Sequence, residues 1–296
     1  MMDLPLDQVR TLLAVVDAGT FDAAARTLGV TPSAVSQRVK ALEQRTGRVL
    51  LLRSKPVRLT DSGTAVVRFA RQLAHLERDA RMALGMAGEG EPTTLSIAVN
   101  ADSLATWLLP ALARVPQRFN ICFDLHREDQ DYTTDLLREG RVMAAITSSP
   151  TPVQGCIVRR LGRMAYRPCA SHDFVARWLA HGPLRQTLGD APVVLFDRKD
   201  DLQGRFIRKL THREGVSGVR HYIPANEAFL DAVASGLGWG MIPRSQLTSR
   251  PAAMSLVDLA PDLALDVPLY WQQWRLDSPA LAAVAEAVIA AGSAGL

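Results

Sequence analysis

One short segment of the 296-residue chain concentrates side chains suited to reading a nucleic acid. Pro32, Ser33, Ser36 and Gln37 place hydroxyls and an amide nearest base edges, and the Gln37 amide can pair with adenine through one donor and one acceptor. Thr31, Arg38, Lys40, Arg53 and Arg58 are better suited to phosphates, which fix position but carry no sequence. Across residues 31–58, Arg38, Lys40, Arg45, Arg48, Arg53, Lys55 and Arg58 face a single acid, Glu43. Such a block is the electrostatic footprint of backbone contact. A solvated basic face would look the same on charge alone, so the pattern around the charges has to decide.

No other set of residues supports catalysis or metal binding. His75, His126, His172, His181, His212 and His221 are scattered, without the i,i+4 or cysteine pairing of a metal site. No G-x-S-x-G motif occurs and no Ser/His/Asp set can be defended. Gly236-Leu237-Gly238-Trp239-Gly240 imitates a nucleotide-binding loop, but it follows a helix and precedes a strand, the reverse of what that fingerprint needs. Cys122, Cys156 and Cys169 are an odd number with no C-x-x-C pair. That fits a reducing cytosol without a disulfide framework or zinc. Cys122 is expected in a core strand, and Cys156 and Cys169 near loops. The expectation is a protein that is not an enzyme and needs no cofactor or metal.

Composition sets the frame. Hydrophobic residues at 48% and charged residues at 22% exclude disorder as the dominant state. The length suits two or three modules. No apolar run approaches the roughly 18 residues of a membrane span. Met1-Met2-Asp3-Leu4-Pro5 has no basic stretch leading into an apolar core, so a cytoplasmic protein is expected. The net charge of +4 is unevenly spread: residues 1–86 carry 13 Lys+Arg against 8 Asp+Glu, and residues 87–296 carry 21 against 22. The positive excess lies in the first third.

The elements there explain it. Leu6, Val9, Leu12, Leu13 and Val16 repeat at helical spacing, and Gly19 ends that helix. Thr20 caps a short second helix from Phe21 to Leu28, which Gly29 stops. Thr31-Pro32 then opens a third helix, with a capping hydroxyl followed by proline at the first helical position. That helix buries Val35, Val39 and Leu42 and leaves Ser33, Ser36, Gln37 and Lys40 on other faces. A short helix, a glycine turn and a polar-faced helix describe a helix-turn-helix. Val49 to Thr60 reads as two short strands around a basic turn, a wing. From Thr60 or Ser62 to about Gly85 a long helix sets Val66, Phe69, Leu73, Leu76, Ala80 and Ala83 at spacings of three and four, the seam of a coiled-coil dimer. Gly85 to Pro92 reads as a flexible linker.

Phe21-Asp22-Ala23-Ala24-Ala25, followed by Thr31-Pro32-Ser33-Ala34-Val35-Ser36-Gln37-Arg38-Val39-Lys40-Ala41-Leu42-Glu43, resembles the DNA-binding domain of LysR-type transcriptional regulators. The stretch from Leu95 through Asn100-Ala101-Asp102-Ser103 to Trp107-Leu108-Leu109-Pro110 resembles the ArgP/LysG subgroup, which responds to basic amino acids and controls their export. Val193 to Asp197 and Leu269-Tyr270-Trp271 do so too. One departure is the wing, where Leu52 stands before Arg53 and many family members have an aromatic. The resemblance implies a homodimer or homotetramer on a pseudo-palindromic operator in double-stranded DNA, acting with RNA polymerase and sensing L-lysine or L-arginine. The alternatives are a sequence-indifferent nucleoid-type DNA-binding protein and an enzyme tethered to DNA.

From Thr93 onward strands and helices alternate, which points to a parallel-type α/β sheet. The resemblance implies a type-II periplasmic-binding-protein fold, two subdomains around a cleft. The whole is then an α+β multidomain chain: a winged helix-turn-helix at 1–60, a linker and dimerisation helix at 61–86, a hinge at 87–92 and an effector domain at 93–296. Its first subdomain takes 93–163 and 267–296, its second 164–266, with crossovers near Leu161–Ala165 and Asp266–Leu269. Ligands of such sheets sit beyond the carboxyl ends of strands. The helix start at Asn100-Ala101-Asp102-Ser103 and the hydroxyls of Ser103, Thr147 and Ser148 could receive an α-carboxylate. For the cationic groups the candidates are Asp102, Glu128 and Asp129 in the first subdomain, and Asp197, Asp200, Asp201 and Glu227 in the second, with Asn226 as a neutral partner. Several of these acids would look the same as helix caps or exposed loop residues.

Overall fold

The computed structural model describes residues 4–52, 54–86, 92–129, 132–211, 215–249 and 251–295. The chain starts with three helices, α1 (Leu6–Ala18), α2 (Phe21–Leu28) and α3 (Pro32–Thr46). The Thr20 hydroxyl accepts the Ala23 N–H and the Thr31 hydroxyl the Ala34 N–H, both at 3.2 Å, so each cap foreseen from sequence is made. Val9, Leu12, Val15, Ala24, Ala25, Val35, Val39 and Leu42 close the core between them. Burying a leucine such as Leu12 or Leu42 completely stabilises by about 2 kcal/mol. Strands β1 (Leu51–Leu52) and β2 (Arg58–Leu59) pair antiparallel as the wing.

The long helix α4 (Asp61–Ala83) is capped by Thr60. Its Val67 and Ala70 belong to the same core as the first three helices, so the start of α4 is part of the head. Gly63 makes this possible, because a Cβ there would lie 2.0 Å from the Leu50 carbonyl oxygen. Phe69 and Leu76 of the expected seam face outward, 40% and 42% exposed.

The second module contains β3 (Thr93–Val99), the helical stretch α5 (Ala101–Ser103) running through a π turn at Leu104–Leu108 into α6 (Leu109–Leu112), β4 (Ile121–Arg127), α7 (Thr133–Arg138) and β5 (Ala144–Thr147). Then follow β6 (Cys156–Ser171), α8 (His172–Phe174), α9 (Leu184–Thr187), β7 (Val193–Leu195), α10 (Leu202–Thr211) and β8 (Arg220–Tyr222). The chain ends with α11 (Asn226–Ala234), β9 (Gly240–Pro243), α12 (Arg244–Ser249), β10 (Leu256–Asp258), β11 (Leu265–Trp274) and α13 (Pro279–Gly295). The main sheet runs β10-β6-β11-β5-β3-β4, with β9 also on β6. It is mixed, which corrects the parallel expectation: β3 is parallel to β4 and β5, whereas β11 is antiparallel to β5 and β6. The physical reason is that β6 and β11 run in opposite senses through both halves. The two expected crossover segments pair with each other there, Met164 opposite Val267 and Ala165 opposite Asp266.

Helix α4 also touches the second module. Gly140 packs directly on it: a Cβ at this left-handed residue would meet the Arg68 Cα at 2.9 Å. Arg68 donates to the Gln154 carbonyl at 3.2 Å. Arg71 donates to the Gly140 carbonyl at 2.8 Å and to Asp17 of α1 at 2.7 Å. Among the described residues no helix is long and apolar enough to cross a membrane.

Candidate nucleic-acid interface and ligand cleft

On the head, α3 turns Val35, Val39 and Leu42 inward and leaves Thr31, Pro32, Ser33, Gln37 and Lys40 exposed, with Ser36 and Arg38 half-buried. Arg45, Arg48, Lys55 and Arg58 are exposed beside them; Arg53 lies outside the described residues. The Thr31 hydroxyl oxygen is spent on its cap, but its proton remains available to a phosphate oxygen. Glu43 has a role that sequence reasoning missed. One of its carboxylate oxygens accepts the N–H groups of Leu50, at 2.8 Å, and Leu51, at 3.3 Å. The single acid of the basic block therefore anchors the wing.

The cleft is lined by Asn100–Asp102 after β3, Arg127–Asp129 at the end of β4 and just beyond it, Phe196, Asp197 and Asp200 after β7, Asn226 at the start of α11 and Gln246 on α12. Among the described residues five carboxylates face it, those of Asp102, Glu128, Asp129, Asp197 and Asp200, and Arg127 is the one cationic side chain of the lining. Asp102 is the hub. The Tyr166 hydroxyl donates to one of its oxygens at 2.6 Å and the Asn226 amide to the other at 3.1 Å. Gln246 in turn donates to the Asn226 carbonyl at 2.8 Å. Burial raises the Asp102 carboxyl to about 6 against the opposing Tyr166 bond, and Asp200 and Asp129 push it further the same way. Burial raises Asp200 as well, although the N–H groups of Phe196 and Leu202 stabilise its charge. Partial desolvation also acts on Glu128, but the Asp129 N–H and Lys199 outweigh it and hold this carboxyl below the usual range.

Three contacts cross the cleft, the Asp102–Asn226 bond among them. Asp102 reaches Asn226, Lys199 pairs with Glu128 at 3.1 Å, and Arg127 donates to the Pro224 carbonyl at 2.8 Å while its guanidinium lies 5.4 Å from the Phe196 ring centre. Asp197 uses one oxygen to accept the N–H groups of Lys199 and Asp200, closing its own turn.

The structure thus brings together Asp102, Glu128, Asp129, Asp197, Asp200 and Asn226 of the residues expected at the cleft. Ser103, Thr147 and Glu227 stand outside its lining, and three placements explain why. Ser103 turns into the core, its hydroxyl without a partner among the described residues. Thr147 sits on a strand enclosed by β3 and β11, and its hydroxyl accepts the Ser149 N–H. Glu227, one residue beyond Asn226 and so about 100° further round the helix, faces solvent. Ser148 is outside the lining too, and Asp201 pairs with Arg208. Sequence reasoning missed Arg127, Tyr166 and Gln246. Arg127 directly precedes the Glu128-Asp129 pair and adjacency alone could have found it; Tyr166 and Gln246 carry no local signal.

The discounted features resolve simply. The glycine-rich run is the turn between α11 and β9. Cys122 is exposed, a correction: on β4 it alternates with Ile121 and Phe123, which pack on the core. Cys156 opens β6 directly after the turn at Gly155, beside a loop as expected, whereas Cys169 lies inside the strand; burial pushes their thiols up to about 11 and about 12, away from reactivity. Among the described residues no group of three or more His, Cys, Asp or Glu side chains is placed to hold a metal ion.

Comparison with known proteins agrees with both halves. Residues 6–64 match the family described as bacterial regulatory helix-turn-helix protein, lysR family, and residues 88–293 match the LysR substrate binding domain. The HTH-type transcriptional regulator LysG of Mycobacterium tuberculosis is 44% identical over 295 residues, covering 99% of this chain and 96% of its own. The crystal structure of ArgP from Mycobacterium tuberculosis aligns with a TM-score of 0.88 at 45% identity, over 98% of this chain and 97% of that one. Full-length LysG from Corynebacterium glutamicum with bound effector Arg aligns with a TM-score of 0.82 at 37% identity, over 99% of both chains.

Proposed function

The chain belongs to the LysR family of bacterial helix-turn-helix regulators, and on that premise we propose that it senses L-lysine or L-arginine and so controls transcription, of an amino acid exporter gene in the first instance. The observation that carries the effector class is the cleft lining, five carboxylates against the guanidinium of Arg127 and the Lys199 ammonium that reaches Glu128 from its edge. Such a surface repels anions and leaves a neutral amino acid's side chain among unmatched charges, whereas an amino acid with two cationic groups and one carboxylate meets partners for all three. In this reading Arg127 and the N–H groups at the start of α5 take the α-carboxylate. Asp102, with Asp129, Asp197 and Glu128, takes the ammonium and the side-chain cation. Binding is followed by release, with no covalent step, cofactor or metal.

On DNA, Pro32, Ser33, Ser36 and Gln37 enter the major groove, and Thr31, Arg38, Lys40, Arg53 and Arg58 hold phosphates. The outward-facing Phe69 and Leu76 of α4 support pairing with a second chain, and a homodimer or homotetramer on a pseudo-palindromic operator would meet RNA polymerase in the cytoplasm. The working division is head 1–60, linker helix 61–86, hinge 87–92, of which 87–91 lie outside the described residues, and sensor 93–296. Closure of the cleft on its ligand would alter the geometry of the paired sensors and with it the spacing or bend of the operator.

Calorimetric titration of the full chain with L-lysine, L-arginine, L-histidine and L-leucine tests the effector class. Saturable binding of L-lysine or L-arginine with none of L-leucine is expected. Equal binding of L-leucine, or no binding of any basic amino acid, would overturn it.

A further inference from the structure

A second cavity, of about 320 Å³ and apart from the cleft, lies between α4 and the first subdomain. Arg71, His75 and Arg78 line it from the helix, and His126, Arg141 and Trp274 from the sheet side. Its charge is one-sided. Asp124 is the one acid of the lining and is already engaged, accepting from Ser96 at 2.9 Å and paired with His126 at 2.8 Å. Arg71 is held by Asp17 and the Gly140 carbonyl, while Arg141 makes one loose ion pair among the described residues, to Glu139 at 3.8 Å, and acts at longer range on Glu128. Arg78 makes no ion pair among the described residues. Burial and then Arg78 lower His75, with Asp79 opposing, which favours the neutral ring beside the guanidinium groups.

A second observation points to an acceptor. Trp274 is 1% exposed and lines this cavity, yet its indole N–H has no hydrogen-bond partner among the described residues. A buried donor left unmade costs about 1–3 kcal/mol, which a bound oxygen would recover. Guanidinium groups on two separate elements, each with donors to spare, match a ligand carrying more than one anionic centre.

We propose that the cavity between α4 and the first subdomain binds a small polyanion of the pyrophosphoryl class, bridging Arg78 on the helix to Arg141 on the sensor. The site is compatible with a second chain on the α4 seam. At about 100° per residue, Arg71, His75 and Arg78 point roughly opposite to Phe69, Leu73 and Leu76.

The test is calorimetric titration of the full chain with inorganic pyrophosphate. Saturable binding is expected, weakened at least tenfold in Arg78→Ala and in Arg141→Ala and retained in Lys40→Ala, whose site is on the head. Thermal melting within a few degrees of the unaltered chain serves as the folding control for each variant. Absence of saturable binding, equal affinity in Arg78→Ala and Arg141→Ala, or a loss confined to Lys40→Ala would overturn the site. None of these outcomes depends on what the cleft binds.

Discussion

The head and the cleft use charge in opposite ways. On the head, Lys40, Arg45, Arg48, Lys55 and Arg58 point into solvent, and the nearby acid, Glu43, is occupied with the wing. In the cleft the charges already have partners: Asp102 holds Tyr166 and Asn226, Glu128 holds Lys199, and Arg127 holds the Pro224 carbonyl. The head is built to attract a polyanion from a distance and to be weakened by screening. The cleft is built for partner exchange, in which a ligand replaces bonds that the empty site makes to itself. One surface is long-ranged and tolerant; the other is short-ranged and selective.

Salt should separate the two most strongly. Between 50 and 200 mM salt, operator affinity should fall by about a thousandfold through counterion release, while basic amino acid affinity changes only a few-fold. Comparable losses at both sites would erase the distinction. The next largest effect is expected at the hub: Asp102→Ala should cost about 2–5 kcal/mol of basic amino acid binding, since it leaves a buried cation without its partner, and should leave DNA affinity of the ligand-free chain unchanged. Calorimetry beside a mobility-shift assay reads both. On the head, Gln37→Ala should reduce discrimination between operator and random DNA by about 1–3 kcal/mol; an unchanged ratio would remove Gln37 from base readout.

The smallest effect is the pH response of the cleft. Asp102 has its carboxyl raised to about 6, so it is ionised above that pH and increasingly protonated below it. A cationic ligand binds the ionised form, and its affinity should therefore fall by about tenfold per pH unit below about pH 6. Asp102→Asn should flatten that slope. A slope that survives the substitution would assign the proton to another group, such as the buried Asp200.

The head was legible because its determinants are local. Thr31-Pro32 writes a helix start into two adjacent residues, and the spacing of Val35, Val39 and Leu42 writes its buried face. The cleft draws on residues 100–102, 127–129, 166, 196–200, 226 and 246, which only the sheet brings together. Strand ends and helix starts could be named from sequence, and Asp102, Asp197 and Asn226 were reached that way. Which side of a helix start faces the cavity could not, and Ser103 and Glu227 were misplaced for that reason. Strand β6 was legible only as a crossover. A strand that begins in one subdomain and ends in the other has no single buried face, so its alternation breaks midway and hides the mixed sheet.

Helix α4 is approached at two points by glycine backbone, Gly63 lying against the Leu50 carbonyl and Gly140 against the root of Arg68, from Cα to Cγ. Long flexible side chains act as springs and absorb small displacements; these two contacts have almost no compliance. A shift of a few tenths of an ångström in the sensor at Gly140 is therefore expected to be passed to the helix with little absorbed on the way, as through a rigid pushrod. Alanine at Gly140 would insert a spacer at one end of that rod and set a fixed offset on the head, with or without ligand.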